Sequence, residues 1–300
     1  LVLWGGVIVV AAILWRTGLL DTAWESARNA RRRYLLLVLL VGMLLPIIHA
    51  LRWTVALKAL GDEMPPAEAA DLTVSSALIN YSSPGFLGAS AKALLAKKSS
   101  NVSFEHSAVS ITFEYGLDLI LLLGASATVI LVYGPRNFNG LVPFDTELPG
   151  WWVIPVGVVL LGGLGYLAYR LGVMRLINRI RYAFTRLGKT VSWPKIIALT
   201  LLYWLGQVLV IELLVQALNL DVSLFGLIAL STLPLLAGIL APVPGGIGVR
   251  EATTVALAAL TGAGAGALLS LAVLQRVLLV AALPLSLLVV RLSRRFISGL

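Results

Sequence analysis

Two prolines, three glycines and an Arg–Glu pair interrupt an otherwise apolar run in Pro242-Val243-Pro244-Gly245-Gly246-Ile247-Gly248-Val249-Arg250-Glu251. Hydrocarbon tolerates unpaired backbone polar groups and ions only where protein or a water-filled cavity surrounds them. A broken membrane helix with charges beside the break therefore points to a polar site. The alternative is an interfacial loop with its charges among headgroups. Where the chain re-enters helix after Gly248, free backbone N–H groups and the positive helix end would suit a phosphate. Gly246 and Gly248 would let a ligand or another helix approach the backbone closely. Arg250 could bind that phosphate or snorkel outward. Glu251 is expected to form a structural or gating ion pair with Arg276, headgroup contact being the alternative.

A second set lies earlier. Glu114 and Asp118 are four residues apart and share one helix face. They could carry protons, or they could be satisfied by Arg52 or Lys92. Lys92 follows the break at Pro84-Gly85 as Arg250 follows the later one, so both are expected to flank a phosphate path. Asn80 is the expected amide donor at the first break. Glu212, deep in its apolar segment and four residues before Gln216, is a second-rank candidate.

The elements that must position these residues are membrane helices. Of 300 residues, 59% are hydrophobic and only 12% charged, with mean hydropathy +0.95. Soluble domains carry about 25% charged residues. The class is all-α polytopic, since long apolar runs such as 35–45 do not suit alternating β-barrel strands. Six spans are expected near 2–14, 34–57, 106–132, 151–171, 195–218 and 264–290. Between them, regions 66–96 and 222–260 each hold two short apolar pieces around a Pro-Gly break, which reads as a re-entrant hairpin. The first span is short and the chain opens at Leu1 inside an apolar run, so the natural N-terminus is expected to be missing.

The two regions are also a repeat. Pro84-Gly85-Phe86-Leu87-Gly88 matches Pro244-Gly245-Gly246-Ile247-Gly248 at an offset of 160, and Glu114 and Gln275 lie 161 apart. Unit one covers 34–132 and unit two 195–291, inside a single transmembrane domain of residues 1–300. With one span between them, unit two is inverted, a recurring transporter design with discontinuous helices meeting at mid-membrane. The slot so formed would have Arg250, Glu251 and Arg276 on one wall and Glu114 and Asp118 on the other.

The net charge of +9 reads as topology and lipid contact rather than a nucleic-acid footprint. With both termini in the cytoplasm of a multi-pass cell-membrane protein, that side receives Arg52, Lys58, Lys92, Lys97, Lys98, the basic stretch 170–189 and Arg291, Arg294 and Arg295. The cluster Arg28, Arg31, Arg32 and Arg33 falls on the other side, against the rule. Segment 172–190 reads as an amphipathic helix on the cytoplasmic surface. Trp151, Trp152, Trp193 and Trp204 read mainly as interfacial anchors. The absence of cysteine excludes disulfides, thiolate metal sites and cysteine nucleophiles, and two isolated histidines do not suggest zinc. No nucleotide-binding loop is present in the sequence, and no cofactor, metal or catalytic residue is expected.

Pro244-Gly245-Gly246-Ile247-Gly248-Val249-x-Glu251 resembles the P-G-G-x-G-x-x-E signature of the transmembrane, flippase-like domain of lysylphosphatidylglycerol synthetases. The likeness extends over almost the whole chain, as in stand-alone members of that family. Leu51-Arg52-Trp53 resembles its R-W, Asn80-x-x-x-Pro84-x-x-x-Gly88 its first break, Glu114-x-x-x-Asp118 its E-R-x-x-D, and Gln275-Arg276 its aromatic-Arg pair. Ala89 and Tyr115 stand where the family usually has an acidic and a basic residue, which fits a lost ion pair. The resemblance implies movement of a lipid between leaflets, with no aminoacyltransferase activity expected of these residues. The lipid could be an aminoacyl-phospholipid, a glycolipid or a polyprenyl phosphate. Two other readings are an intramembrane enzyme acting on a lipid phosphate and a non-transporting scaffold for a lipid-modifying enzyme. The expected partners are anionic membrane lipids, with a lipid-modifying enzyme and a homo-oligomer left open.

Overall fold

The computed structural model describes residues 28–82, 87–100, 102–133, 173–240 and 246–298. The described residues form ten helices and no strand. They are α1 (Arg32–Leu60), α2 (Pro66–Ser82), α3 (Leu87–Ser100), α4 (Phe104–Tyr133), α5 (Val173–Thr190), α6 (Trp193–Ala217), α7 (Leu224–Leu240), α8 (Val249–Ala256), α9 (Ala258–Thr261) and α10 (Ala265–Ser298). Four of them, α1, α4, α6 and α10, are long and apolar enough to cross a membrane. They coincide with four of the six expected spans, within a few residues except at the C-terminal end of α10. The expected spans at 2–14 and 151–171 lie outside the described residues.

The four long helices surround two broken pairs. Helices α2 and α7 are each 17 residues long, about 25 Å at 1.5 Å per residue, and each precedes a short return segment. Ser100 at the end of α3 donates a 2.5 Å hydrogen bond to Glu68 Oε1 at the start of α2, so the first pair enters and leaves at one end. In the second pair, a Cβ at Gly226 would lie 3.4 Å from Thr261 Cγ2, so its two ends also meet.

Packing partners follow the same order in both halves. Helix α2 packs against α10, and α7 against α4; α3 lies along α4, and α8 along α10. Helix α1 sits at the centre, against α6 on one side and α10 on another. Glycines permit these approaches: a Cβ at Gly206 would lie 2.8 Å from Leu45 Cδ2, and one at Gly42 would lie 3.0 Å from Leu279 Cδ2. Without a hydrophobic drive in lipid, such close contact is what holds membrane helices together. The largest apolar cluster joins Leu45 of α1, Leu214 of α6, Leu230 of α7 and Leu271 of α10.

The helix ends sort into two sides. On one, Thr190 Oγ1 donates to Ala59 O at 2.7 Å, His106 Nδ1 lies 2.7 Å from Asp62 Oδ2, and Arg291 and Arg294 both reach Asp71. On the other, Arg31 N–H donates to Ala217 O, and the Arg31 guanidinium donates to Asn219 Oδ1 at 2.6 Å. Helix α5 occupies the expected amphipathic segment, with Ala183 and Leu187 buried and Tyr182 exposed.

Candidate functional site

The geometry of a helix start explains how the chain leaves the second break. Gly248 has φ +84°, outside the range L side chains adopt easily, and precedes α8 directly. Glu251, three residues on, folds back so that Gly248 N–H donates to its Oε2 at 2.7 Å. Its other oxygen, Oε1, accepts from Arg276 Nε at 2.7 Å. The expected Glu251–Arg276 pair is therefore present. Of the N–H groups expected to suit a phosphate at this helix start, that of Gly248 is already taken by a carboxylate of the chain. Gly248-x-x-Glu251 has capping-box spacing, the sequence signal that identifies this cap.

Arg276 is 5% exposed, and its Nη1 is buried with no hydrogen-bond partner. Its surroundings form a cleft of about 310 Å³ of atom-free space, its open mouth included. The lining comes from Tyr81 on α2, Pro234 on α7, Arg250, Glu251 and Thr254 on α8, and Ala272, Gln275, Arg276 and Leu279 on α10. Both broken pairs thus contribute to one cleft. Tyr81, Pro234 and Thr254 carried no functional signal in the sequence, since each type is common in apolar helices.

Glycine-to-glycine contact aims Arg250 into this cleft. Gly238 of α7 packs on the Arg250 stem: a Cβ there would lie 2.5 Å from Arg250 Cγ and 2.7 Å from its Cδ. Gly246 (φ +65°) contacts the same stem. Gly245 lies outside the described residues. Gly238→Ala is expected to swing Arg250 away at a stability cost of about 1 kcal/mol, since the obstructing stem is flexible. A melting curve close to wild type, with Arg250-dependent activity reduced, is the outcome to look for.

Asn80 and Gly88 build the first break. Gly88 N–H donates to Asn80 Oδ1 at 2.8 Å, so the carbonyl end of the Asn80 amide is an acceptor at this break, a role the sequence reading did not name. The physical reason is that a helix start presents N–H groups and calls for an acceptor. Gly88 and Gly248, 160 residues apart, are thus both capped by side chains. Ala89 and Tyr115 both pack against the cluster around Trp53 and Ala93, the shared location that a lost ion pair would require.

Arg52, Glu114, Asp118 and Lys92 form a separate buried network. Arg52 is 0% exposed and grips Asp118 with two 2.7 Å hydrogen bonds, Nη1 to Oδ1 and Nη2 to Oδ2. Its Nε donates to Glu114 Oε1 at 3.3 Å. Trp204 Nε1 donates to Asp118 Oδ1 at 3.0 Å. Lys92 Nζ lies 4.0 Å from Glu114 Oε2 and 4.0 Å above the Trp53 ring. His49 Nδ1 is also 4.0 Å from Glu114 Oε2.

Four expectations change on this geometry. Arg52 is the internal partner of both carboxylates, one of the alternatives the sequence left open, and as such is fully buried rather than a cytoplasmic loop charge. Lys92 is buried against Trp53 and does not flank the cleft. Glu114 and Asp118 do not line the cleft and so do not form its second wall, since Arg52 draws them to α1. Trp204 serves as a hydrogen-bond donor inside the bundle rather than mainly as an interfacial anchor. Glu212 accepts from Gln216 of its own helix at 2.9 Å and is likewise absent from the cleft lining. His49, Thr200 and Tyr203, which complete the network around Arg52, looked like ordinary span residues in the sequence.

The family profile described as lysylphosphatidylglycerol synthase TM region matches residues 2–286. The chain belongs to that family. The match includes both breaks, the Arg52 network and the cleft, so every site residue named above falls within the family region. It is the transmembrane region that is matched, and the chain is a multi-pass membrane protein of this family. Comparison with curated proteins and with solved structures found no match.

Proposed function

We propose that this chain moves a phosphate-bearing lipid between the two leaflets of the cell membrane. The observation that carries the reading is the cleft at the meeting of the two broken pairs, where Arg250 and a partnerless donor of buried Arg276 face shared space. Buried guanidinium groups are costly in a membrane helix and are found where substrate or water reaches them. Arginine also suits phosphate, offering planar, paired donors. A headgroup would enter this cleft while its acyl chains stay among the exposed leucines of the outer helix faces.

The two halves function as an inverted pair. Matching neighbours support this: α2 on α10 against α7 on α4, and two capped glycines 160 residues apart. Each pair enters from its own side, so the breaks meet inside the bilayer. The side bearing α5, Arg291 and Arg294 is the cytoplasmic one, because its basic ends follow the positive-inside rule. The Glu251–Arg276 pair acts as the gate, holding Arg276 in place while leaving one donor for the substrate.

Purified protein in liposomes with labelled phospholipid tests the proposal. Wild type is expected to expose inner-leaflet label to an external quencher, and Arg250→Ala to slow that exchange about tenfold without changing the melting temperature. A chemically altered lipid would favour the enzyme reading instead. Inert liposomes would remove the translocator reading.

A further inference from the structure

The charges of the cleft discriminate between headgroups. Two guanidiniums, Arg250 and Arg276, face one carboxylate, Glu251, leaving the described lining with one net positive charge. That carboxylate is committed on both oxygens, Oε1 to Arg276 and Oε2 to the Gly248 N–H. The other acidic residues buried in the bundle are held elsewhere. Arg52 binds Glu114 and Asp118, and Gln216 binds Glu212. Thr254 directs its hydroxyl to Arg250 O at 2.8 Å. Opposite these acceptors stands Arg276 Nη1, a buried cationic donor with no partner.

We infer that the cleft selects a singly anionic phosphate ester and discriminates against headgroups carrying an added ammonium, such as a lysyl ester. This rests on the translocator reading and names its substrate class. One phosphodiester neutralises the surplus charge and satisfies the open donor of Arg276. An ammonium brought into the same space meets two guanidiniums, and the one carboxylate of the described lining is already committed on both oxygens. Like charges brought together in a desolvated site are strongly disfavoured, so specificity here comes from repulsion as well as attraction. The family description names lysylphosphatidylglycerol, and the cleft of this member suits the unmodified anionic lipid better.

The test compares leaflet exchange of acyl-labelled phosphatidylglycerol and lysylphosphatidylglycerol in the same liposomes containing the full chain. Phosphatidylglycerol is expected to exchange at least about tenfold faster. Gln275→Glu, a near-isosteric change on the cleft wall that cancels the surplus charge, is expected to shrink that preference about tenfold. Equal rates, or faster lysyl-lipid exchange, with exchange itself intact would overturn the selectivity and leave translocation standing. Exchange of neither lipid would overturn both. Efflux of trapped inorganic phosphate without lipid exchange would assign the cleft to soluble phosphate and overturn the lipid assignment. Unchanged selectivity in Gln275→Glu would show that cleft charge does not set the preference.

Discussion

Replacing Arg52 by leucine is expected to destabilise the protein by about 3–5 kcal/mol, the usual consequence of removing one partner from a buried ion pair. Arg52 is fully buried and supplies three hydrogen bonds to two carboxylates on α4. Without it, Glu114 and Asp118 share a buried space with Lys92 as their one close cation, and only Glu114 is in its range. The side chain also joins α1 to α4, alongside the buried Trp53–Ser110 hydrogen bond, so its loss loosens the centre of the bundle. Charge balance supplies the control. Arg52→Met combined with Asp118→Leu removes one cation and one anion, leaving Lys92 and Glu114 to balance each other. That double variant is expected to recover most of the loss, since an apolar replacement of a whole buried pair is often neutral or stabilising. Thermal unfolding of the detergent-solubilised protein measures both. A single variant that melts with the wild type, or a double variant no better than the single, would show that the pairing does not hold α1 to α4.

Sequence legibility followed the kind of force involved. The breaks were readable because Pro and Gly act locally: a backbone that cannot continue a helix announces itself without reference to anything distant. Segment 66–96 resolved into α2 and α3 for that reason, and the Glu251–Arg276 pair was readable because few charges in the bundle lack an obvious alternative. Depth was much harder to read. Arg52 stands eight residues before the end of α1, where a span charge can equally snorkel to the interface or turn inward. Only the packing of α4 and α6 around it decides between the two, and that contact is 62 residues away for Glu114 and 148 for Thr200. Trp204 was misread for another reason: it stands midway along α6, too deep for an interfacial anchor, and nothing in the sequence shows that Asp118 is there to accept its N–H. Asn80 was legible as a residue of the break but not in its accepting role: an amide carries both donor and acceptor, and the N–H groups of a helix start, which sequence does not orient, call on the acceptor.

The cleft and the Arg52 network also differ in how they use the two broken pairs. Each half places a capped glycine at its break and a cation soon after, yet Lys92 is buried over Trp53 while Arg250 lines open space. In the second half the Glu251–Arg276 pair persists. In the first, Ala89 and Tyr115 occupy a packed apolar cluster instead. The charged groups of the first half, Lys92 and Glu114 among them, are thus enclosed in the bundle, whereas Arg250 of the second half lines the cleft. Tyr81 is the contribution of the first half to the lining of the cleft.

Gly88→Ala is expected to be the most damaging single-methyl change in the described chain, costing about 3 kcal/mol from overpacking together with loss of a cap. A Cβ at this position would lie 2.3 Å from the Ser76 carbonyl oxygen and 2.4 Å from Asn80 Cγ. Ser76 O belongs to the backbone of α2, so a rotamer change cannot relieve the clash, and α3 must move off α2. That movement also pulls Gly88 N–H away from Asn80 Oδ1, uncapping α3. Gly248→Ala offers the informative contrast at the matching position. A Cβ there meets nothing within 4 Å, and the difficulty is the backbone itself, at φ +84° and ψ −48°. Strain of this kind costs about 1–3 kcal/mol, and the chain can relieve part of it by adjusting Gly246 or the exposed face of the turn. Gly88→Ala should therefore melt lower than Gly248→Ala in detergent, although both glycines close a P-G-x-x-G motif. Asn80→Ala separates the two contributions to the first effect: it removes the cap without adding bulk, and is expected to lose about 1 kcal/mol. If Gly88→Ala melts no lower than Asn80→Ala, the close packing of α3 on α2 is not what makes glycine necessary there.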